Sequence, residues 1–302
     1  MTMTTDPVQA TEHRSGYVAI IGCPNVGKST LLNQILGQKV AIVTPKPQTT
    51  RGRILGIKTM PQAQILFLDT PGVHESPTLL NQRMKEAAEQ ALGDADVILW
   101  VVDAERGLTG DDKRLAARLR AQDHPTCVAL NKIDTKRREA LLPILAEIEQ
   151  QLPERHLVPI SALDGNNVDE LVNQIIEMLP HGPRYYDGDT LTDQTERMLA
   201  QEVVREKVLL QTRHEVPYAV AVTVDVFEEK GDLAVIDATI HVERESQKAI
   251  VIGAKGARIK QIGTEARLEL QEVLGRRIFI RLFVRVQERW TTNAARIKEF
   301  GL

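Results

Sequence analysis

Glycine, lysine and serine occur early in the chain at a spacing that can hold phosphate groups. Residues 22–29, GCPNVGKS, match G-x-x-x-x-G-K-[ST] between an apolar run and a helical pattern. The glycines let backbone N–H groups turn toward phosphates, Lys28 reaches the outer phosphates, and the Ser29 hydroxyl can bind Mg²⁺. An ordinary glycine turn is the alternative, and the elements on either side argue against it. The predicted phosphate-binding residues are Gly22, Cys23, Pro24, Asn25, Val26, Gly27, Lys28, Ser29 and Thr30.

Further stretches at the ends of apolar runs indicate which nucleotide binds. In FLDTPG (67–72), Asp69 can hold a metal ion through water, and the Gly72 N–H can meet a γ-phosphate. In LNKID (130–134), the Asp134 carboxylate can accept two hydrogen bonds from guanine, which adenine does not offer. Each stretch alone could be a solvated loop, whereas together and in this order they predict a guanine-nucleotide site. Its further predicted residues are Asp69, Thr70, Pro71, Gly72, Val73, Asn131, Lys132, Ile133, Asp134, Ser161, Ala162 and Leu163.

A second glycine loop, GAKG at 253–256, joins two helical patterns and lacks the Lys-Ser ending. It resembles the G-x-x-G loop of KH modules, which clamps the backbone of about four single-stranded nucleotides. The segment 244–289 has eleven Lys or Arg against five Glu and no Asp, a local +6 in a chain of net charge −3. A solvated basic face is the alternative, and the coincidence of motif and charge favours RNA binding. The predicted RNA-binding residues are Ile252, Gly253, Ala254, Lys255, Gly256, Arg258, Ile259 and Lys260.

The elements that must position the first loop alternate between apolar runs and helical patterns from Tyr17 to about Leu179. Unalternated, β-branched runs are typical of strands buried on both faces of a parallel sheet, with helices as crossovers. We predict these helices at 79–92, 112–121, 136–151 and 168–178. Because ligands of a doubly wound sheet lie at the carboxyl ends of its strands, the nucleotide stretches should meet there.

The rhythm changes after 179–194, LPHGPRYYDGDTLTDQ, which reads as a linker. A helix, two strands, a short helix, the G-x-x-G loop, a helix over 257–274 and a final strand follow. This α-β-β-α-α-β order resembles the type II KH module. Isoleucines 250, 252, 259 and 262 are expected to be mostly core, and Trp290 is expected to anchor a C-terminal helix.

Composition narrows the class of protein. Hydrophobic residues make up 42% of 302 residues, enough for about two cores, and only two cysteines occur. The apolar runs are far shorter than the roughly 18 residues that span a membrane. These features favour a cytosolic protein without a disulfide framework.

The first half resembles the translation-factor class of GTPases, with QTTR (48–51) as its first switch. The resemblance implies that GTP orders residues near 46–53 and 69–82, and that Thr50 or Thr49 binds Mg²⁺ with Ser29 and Asp69. The residues themselves leave the choice of threonine open.

One departure from small GTPases bears on hydrolysis. Val73 stands where many of them carry the glutamine that orients water. Asn25 matches an asparagine that helps to hold K⁺ in relatives without that glutamine, so we expect slow, K⁺-stimulated hydrolysis. A turn residue is the alternative for Asn25, and His74 is more simply a bystander than a base.

Both halves together resemble the Era family of bacterial GTPases over nearly the whole chain from Gly16. The resemblance implies an α/β P-loop GTPase domain with a doubly wound, mostly parallel sheet, followed by an α+β type II KH domain. It implies GTP or GDP and Mg²⁺ as ligands, the 3′ end of 16S rRNA and the 30S subunit as partners, some association with the inner membrane face, and a monomer. We predict a disordered extension at 1–15, the GTPase domain at 16–180, a linker at 181–194 and the KH domain with a C-terminal helix at 195–302.

The main alternative is a constitutive RNA-binding assembly factor whose GTPase domain is not coupled to RNA binding. A tandem-GTPase ribosome factor is disfavoured by the single phosphate loop. A membrane-trafficking GTPase is disfavoured because no lipidation motif is present.

Overall fold

A six-stranded sheet forms the core of the N-terminal half. The computed structural model describes residues 13–72, 78–122 and 124–302. The strands are β1 (Arg14–Ile21), β2 (Ile54–Thr59), β3 (Ala63–Asp69), β4 (Val97–Asp103), β5 (Thr126–Asn131) and β6 (His156–Pro159). Their order is β2-β3-β1-β4-β5-β6, and every neighbouring pair is parallel except β2 with β3. The doubly wound, mostly parallel sheet is therefore confirmed.

Five helices cover the two faces of this sheet. They are α1 (Lys28–Leu36), α2 (Leu79–Asp94), α3 (Gly110–Gln122), α4 (Leu142–Gln151) and α5 (Val168–Met178). The predicted helix over 136–151 is wrong in its first part, which holds a 3₁₀ turn at Arg138–Ala140. Pro143 lies in the first turn of α4, where a proline is tolerated because the first N–H groups of a helix have no intrahelical acceptor.

The strand β2 was not predicted, because Gly56 and Lys58 interrupt its apolar run. The glycine has a packing reason. A Cβ added at Gly56 would lie 2.5 Å from Leu32 Cδ1 and 2.9 Å from Leu36 Cδ1, so it lets α1 approach the sheet closely. A residue that weakens the strand pattern is thus the one that fits β2 beneath α1.

The segment 181–194 is a packed strap and not a loose linker. The Gln64 side chain accepts hydrogen bonds from the N–H groups of Tyr185 and Tyr186, at 2.7 and 3.0 Å. Farther along, the Ile57 N–H donates to the Leu191 carbonyl at 2.8 Å. The strap therefore supplies an acceptor to the outer strand β2 and partly covers the edge of the sheet.

At the other end of the GTPase half, β1 begins at Arg14, which forms an isolated bridge with His181. The prediction of a disordered extension is therefore wrong for its last two residues, which β1 includes. Residues 1–12 of that extension lie outside the described residues.

The C-terminal half is a three-stranded sheet with helices on one face. Its elements are α6 (Glu196–Gln211), β7 (Ala221–Lys230), β8 (Leu233–Val242), α7 (Glu245–Ile252), α8 (Ala257–Leu274), β9 (Arg277–Val286) and α9 (Ala294–Glu299). The sheet order is β7-β8-β9, with β7 antiparallel and β9 parallel to β8. This order is that of the predicted type II KH fold, with β9 as an edge strand.

The two halves share a small apolar cluster. Leu80 and Met84 of α2 pack with Trp290, Ile297 and Phe300 from the end of the chain. Trp290 is fully buried, and its indole N–H donates to the Ala219 carbonyl at 2.9 Å. The C-terminal segment therefore joins the KH half to the helix that follows the predicted second switch. Within the described ranges, no helix is long and apolar enough to cross a membrane.

Candidate nucleotide and RNA sites

The phosphate loop lies between the carboxyl end of β1 and the first turn of α1. Gly22 and Gly27 adopt φ values of 149° and 100°. A Cβ at Gly22 would lie 2.4 Å from the Val101 carbonyl oxygen, and one at Gly27 would lie 2.3 Å from Asn131 Nδ2. Only glycine fits both positions, because each combines a left-handed backbone with a neighbour in contact.

The lysine of this loop is folded onto the loop itself. The Lys28 ammonium donates to the carbonyls of Gly22 and Cys23, at 3.0 and 3.1 Å, and the residue is 6% exposed. Burial lowers the pKa of Lys28. Among the described residues, the hydrogen bonds of this buried cation go to two neutral carbonyls, so it is poised to meet an anion at the mouth of the loop.

The three predicted magnesium ligands lie together. The Ser29 hydroxyl is 2.6 Å from Asp69 Oδ2 and 3.0 Å from Thr50 Oγ1, and the Thr50 hydroxyl is 3.4 Å from the same carboxylate oxygen. The other carboxylate oxygen, Asp69 Oδ1, is buried and has no hydrogen-bond partner among the described residues, and burial raises the pKa of Asp69. A carboxylate with one unpartnered oxygen beside two hydroxyls matches the oxygen donors that Mg²⁺ prefers.

The neighbouring threonine points elsewhere. Thr49 Oγ1 is 2.6 Å from Thr44 Oγ1 and donates to the Lys46 carbonyl at 2.8 Å. The geometry thus favours Thr50 over Thr49 as the magnesium ligand. In the described part of the chain, no group of three or more His, Cys, Asp or Glu could hold a metal. A site with one carboxylate and two hydroxyls does not form such a group.

A cavity of about 390 Å³ opens beside the phosphate loop. Gly72 closes one wall, since a Cβ there would lie 3.0 Å from the backbone of Pro24. Asn25 has φ 65° and donates its amide to the Pro45 carbonyl at 2.9 Å. Val73 and His74 lie outside the described residues. The lining residues are Pro24, Asn25, Gly27, Lys28, Ser29, Thr30, Ile42, Val43, Thr44, Pro45, Gln48, Thr49, Thr50, Gly72 and Lys132.

The predicted guanine end lies beyond Lys132. Asn131 is buried and braces two loops, donating to the Val26 carbonyl at 2.8 Å and accepting from the Ala162 N–H at 2.9 Å. The Asp134 carboxylate is exposed and accepts from the Ser161 hydroxyl at 2.7 Å. The predicted base-selecting carboxylate is therefore fixed in direction and open to solvent.

Three members of the predicted set differ in their surroundings. Thr70 donates to the Ile20 carbonyl at 2.8 Å, Ile133 packs against the core, and Leu163 is 74% exposed. Sequence reasoning also missed Asp103, whose buried carboxylate lies 2.6 Å from the Lys132 ammonium. The sequence could have indicated Asp103, because this residue ends β4 at the same edge of the sheet as the other site residues.

The second glycine loop sits between α7 and α8. Gly253 has φ 74°, and a Cβ there would lie 2.8 Å from Arg258 Cβ and 3.0 Å from Arg258 N. Gly256 has φ 78° with open space around it, and Lys255 between them is exposed with φ 50°. The loop therefore presents backbone and a lysine to solvent at the start of an 18-residue helix.

A groove of about 330 Å³ lies between α8 and β9 and begins at Ile259, three residues after Gly256; we refer to it as the G-x-x-G groove. Ile259 lines it with Ile280 and Leu282, while Lys260 and Arg267 lie at its border. Gly263 also lines the groove, and a Cβ there would lie 3.4 Å from Leu282 Cδ1, an ordinary van der Waals distance.

One expectation for this region needs correction. Ile250 is 36% exposed, and Ile252 and Ile259 are half-buried, so only Ile262 of the four isoleucines is fully core. The Arg258 guanidinium donates to the Ile250 carbonyl and is thus partly engaged within the loop.

Comparison with known proteins follows the same division. The family described as 50S ribosome-binding GTPase matches residues 17–132, and the KH domain family matches residues 215–291. GTPase Era from Geotalea daltonii is 46% identical over 291 residues, covering 96% of this chain and 98% of that protein. GTPase Era from Syntrophus aciditrophicus is 47% identical, covering 95% of each chain.

Two solved structures superimpose on nearly the whole chain. One is an Era variant from Aquifex aeolicus bound to GDP·AlF4⁻, with a TM-score of 0.92 and 43% identity over 95% of this chain and 99% of that one. The other is Era in complex with MgGDPNP and nucleotides 1506–1542 of 16S ribosomal RNA, with a TM-score of 0.92 and 44% identity over 96% and 99%. Matched over 95–96% of its length by these relatives, the chain belongs to the Era family of GTPases.

Proposed function

We propose that this GTPase is a nucleotide-controlled switch that binds the 3′ end of 16S rRNA through its KH half and acts in assembly of the 30S subunit. The RNA partner is supported by the relative solved with 16S rRNA nucleotides 1506–1542 and by the G-x-x-G groove of this chain. The switch is supported by one observation: the first switch segment is bonded directly to the KH half.

Arg51 makes the central contact of that junction. Its guanidinium donates to the carbonyl of Val220 at 2.6 Å, of Pro217 at 3.1 Å and of Tyr218 at 3.2 Å, all between α6 and β7. It also lies 5.6 Å from the centre of the Trp290 ring, a cation–π distance. Burial lowers the pKa of Arg51 to about 9, so these carbonyls are what make the buried charge tolerable.

Other contacts from the same segment reach α6. The Val43 N–H donates to Glu206 at 2.8 Å, Lys46 donates to the Thr212 carbonyl, and the Thr49 carbonyl accepts from Arg205. The switch segment is thus held by the KH half on both sides of Thr50.

The nucleotide acts on this junction through Thr50. Ser29, Thr50 and Asp69 would hold Mg²⁺, which when bound neutralises the phosphate charge that develops during hydrolysis. The γ-phosphate is proposed to hold the segment with Thr50 at the ion, and Arg51 is the next residue. A change at Thr50 therefore alters the bonds between Arg51 and the KH half.

The decisive experiment measures equilibrium binding of a labelled oligonucleotide copying the 3′ end of 16S rRNA, with GDP and with a non-hydrolysable GTP analogue. Tighter binding with the analogue is expected for the unmodified chain, and loss of binding for Gly253→Asp. By linkage, the RNA must favour GTP over GDP by the same factor.

Arg51→Met tests the coupling itself. The methionine side chain fills a similar volume but cannot donate to the three carbonyls. The RNA affinities measured with GDP and with the analogue should therefore converge. Arg51→Lys is the matched control that retains charge. Equal RNA affinity in both nucleotide states of the unmodified chain would favour the constitutive RNA-binding factor.

Hydrolysis is proposed to be slow and stimulated by K⁺. Asn25 supports this because its left-handed backbone places the amide at the border of the phosphate cavity. Turnover should be higher in KCl than in NaCl for the unmodified chain, and Asn25→Ala should remove the difference. Equal turnover in the two salts would overturn the proposal.

The domain boundaries, the monomeric state, the cytosolic location and the membrane association stay predictions. Gel filtration at two protein concentrations tests the monomer, and sedimentation with anionic vesicles tests the membrane association.

A further inference from the structure

The sheet of the KH half has one face covered by helices, and its other face is open along the edge strand β9, although Asp237, Thr239 and His241 of β8 are buried there. The covered face packs against α6, α7 and α8, with Ile236, Ala238 and Ile278 in its core. The strand register places alternate residues of β9 on the opposite side, paired with Leu233, Val235, Asp237, Thr239 and His241 of β8. The residues of β9 on that open face are Arg277, Phe279, Arg281, Phe283 and Arg285.

All five of these side chains are exposed, including two large aromatic ones. Phe279 is 50% exposed and Phe283 is 51% exposed. Residues two apart on a strand lie about 6.7 Å apart on one face. The edge strand therefore carries a row in which cations and aromatic rings alternate at that interval.

The C-terminal segment covers only one end of the open face. The Phe300 ring lies 4.6 Å from the ring of His241, at the end of β8 that pairs with Arg285. At the other end, Leu233 and Val235 are half-buried beside Arg277 and Phe279. The row is consequently accessible along most of β9.

The cations of the row are not equally available. Arg281 forms a two-point ion pair with Asp237, with nitrogen–oxygen distances of 2.6 and 2.5 Å. Among the described residues, no salt bridge to the side chains of Arg277 or Arg285 is present. The two outer arginines therefore keep their charge for an external anion.

We propose that this row is a second RNA-binding surface, which holds unpaired nucleotides next to the four or so clamped at the G-x-x-G groove. Arg277 and Arg285 fit phosphates, and Phe279 and Phe283 fit base faces, as in other single-strand readers. The inference rests on the proposed RNA-binding function and extends it to another face of the domain.

Continuity with the groove supports this choice of partner. Ile280 and Leu282 line the groove, while Phe279, Arg281 and Phe283 alternate with them on the same strand and point to the other side. Because β9 is the edge of the sheet, a chain leaving the groove passes only one strand to reach the row. Arginines on an edge strand also discourage pairing with other strands, but that role does not need exposed phenylalanines between them.

Binding of two labelled RNAs tests the proposal in one salt and nucleotide condition. Both copy the 3′ end of 16S rRNA, one of about four nucleotides to fill the groove and one of about twelve that extends it at both ends. Phe279→Ser and Phe283→Ser are each expected to lower the affinity for the long RNA about tenfold and to leave the affinity for the short RNA unchanged. Leu210→Ser, which removes an exposed apolar side chain of α6, is the matched control.

A second measurement separates charge from folding. The double substitution Arg277→Gln and Arg285→Gln should make the plot of log affinity against log salt less steep by about 1.4. This change is expected for the long RNA alone, because each phosphate contact with a single strand contributes about 0.7 to the steepness. Unchanged GDP affinity and melting temperature show that the variants fold.

The outcomes distinguish this surface from the groove. Equal binding of long and short RNA by the unmodified chain, or long-RNA affinity unaffected by both serine variants, would overturn the second surface. A face that binds a protein partner would give that same result. Failure of the short RNA to bind would instead refute the proposed function of the groove. If the long RNA then still binds and the serine variants at Phe279 and Phe283 weaken that binding, the second surface is upheld.

Discussion

The two glycine loops of this chain are assigned to phosphate-bearing ligands, but they differ in how they are enclosed. Lys28 of the first loop is 6% exposed and bonded to its own loop, whereas Lys255 of the second is exposed. Gly27 has a neighbouring side-chain atom where a Cβ would be, and Gly256 has open space. A site for one small nucleotide can be preformed around it, while a site for a polymer must stay open on the sides where the chain enters and leaves.

Removing the buried cation should have the largest effect. Lys28→Ala is expected to weaken the binding of both GTP and GDP about 30-fold or more, since truncating one partner of a buried charged contact costs about 2–5 kcal/mol. Titration of a fluorescent guanine nucleotide measures this loss. RNA affinity in the absence of nucleotide should not change, and a parallel loss there would mean that the loops are not separate sites.

Substitution of the predicted base-selecting carboxylate, Asp134, is expected to have the second-largest effect. Asp134→Asn replaces two acceptors by one acceptor and one donor, so guanine loses a charged hydrogen bond worth about 1.5–3 kcal/mol. GTP affinity should fall roughly 10- to 100-fold, and xanthosine triphosphate, which has a carbonyl in place of the amino group, should bind better than before. Competition between the two nucleotides is the measurement. No change in the preferred base would show that Asp134 does not face guanine.

The second loop contains its own internal control. Gly253→Ala forces a Cβ to within 2.8 Å of Arg258 in a left-handed backbone, while Gly256→Ala meets the same backbone restriction in open space. RNA affinity should fall about tenfold or more for Gly253→Ala and several times less for Gly256→Ala, because left-handed strain costs about 1–3 kcal/mol and only the first adds a collision. Equal losses would mean that backbone strain alone governs the loop.

The smallest expected effect concerns how strongly the affinity of each loop for its ligand depends on salt concentration. Lys260→Gln should lower the salt slope of short-RNA binding by about 0.7, the share of one phosphate on a single strand. GDP affinity should depend much less on salt, because the Lys28 cation is buried and screened less than an exposed charge. Similar salt slopes for GDP and for the short RNA would contradict the conclusion that the two loops differ in how they are enclosed.

Residues whose partners are close in sequence, or that end strands, could be placed from the sequence. Ser29 and Asp69 were expected beside each other because a loop and a strand end meet at one sheet edge. The choice between Thr49 and Thr50 required the backbone path, since adjacent side chains in an irregular segment point in different directions. These site residues remain predictions of ligand contact, although the structure brings Ser29, Thr50 and Asp69 together.

Arg51 shows why other parts could not be anticipated. Its three carbonyl acceptors lie 166 to 169 residues away along the chain. No local period or motif encodes contact between two domains. The strand β2 and the strap escaped prediction for related reasons: packing against α1 placed a glycine in the strand, and the strap's hydrogen bonds to Gln64 depend on the assembled sheet.

The strap along β2 limits how far the KH half can travel. Its last described hydrogen bond to the sheet is at Leu191, and α6 begins at Glu196, so four residues join the two. A flexible tether of that length spans about 11 Å. If the bonds at Arg51 and the other contacts between the two halves release together, the KH half stays at millimolar effective concentration beside the GTPase half. Under the proposed coupling, the nucleotide would therefore drive a short and reversible rotation and not a separation of the two halves.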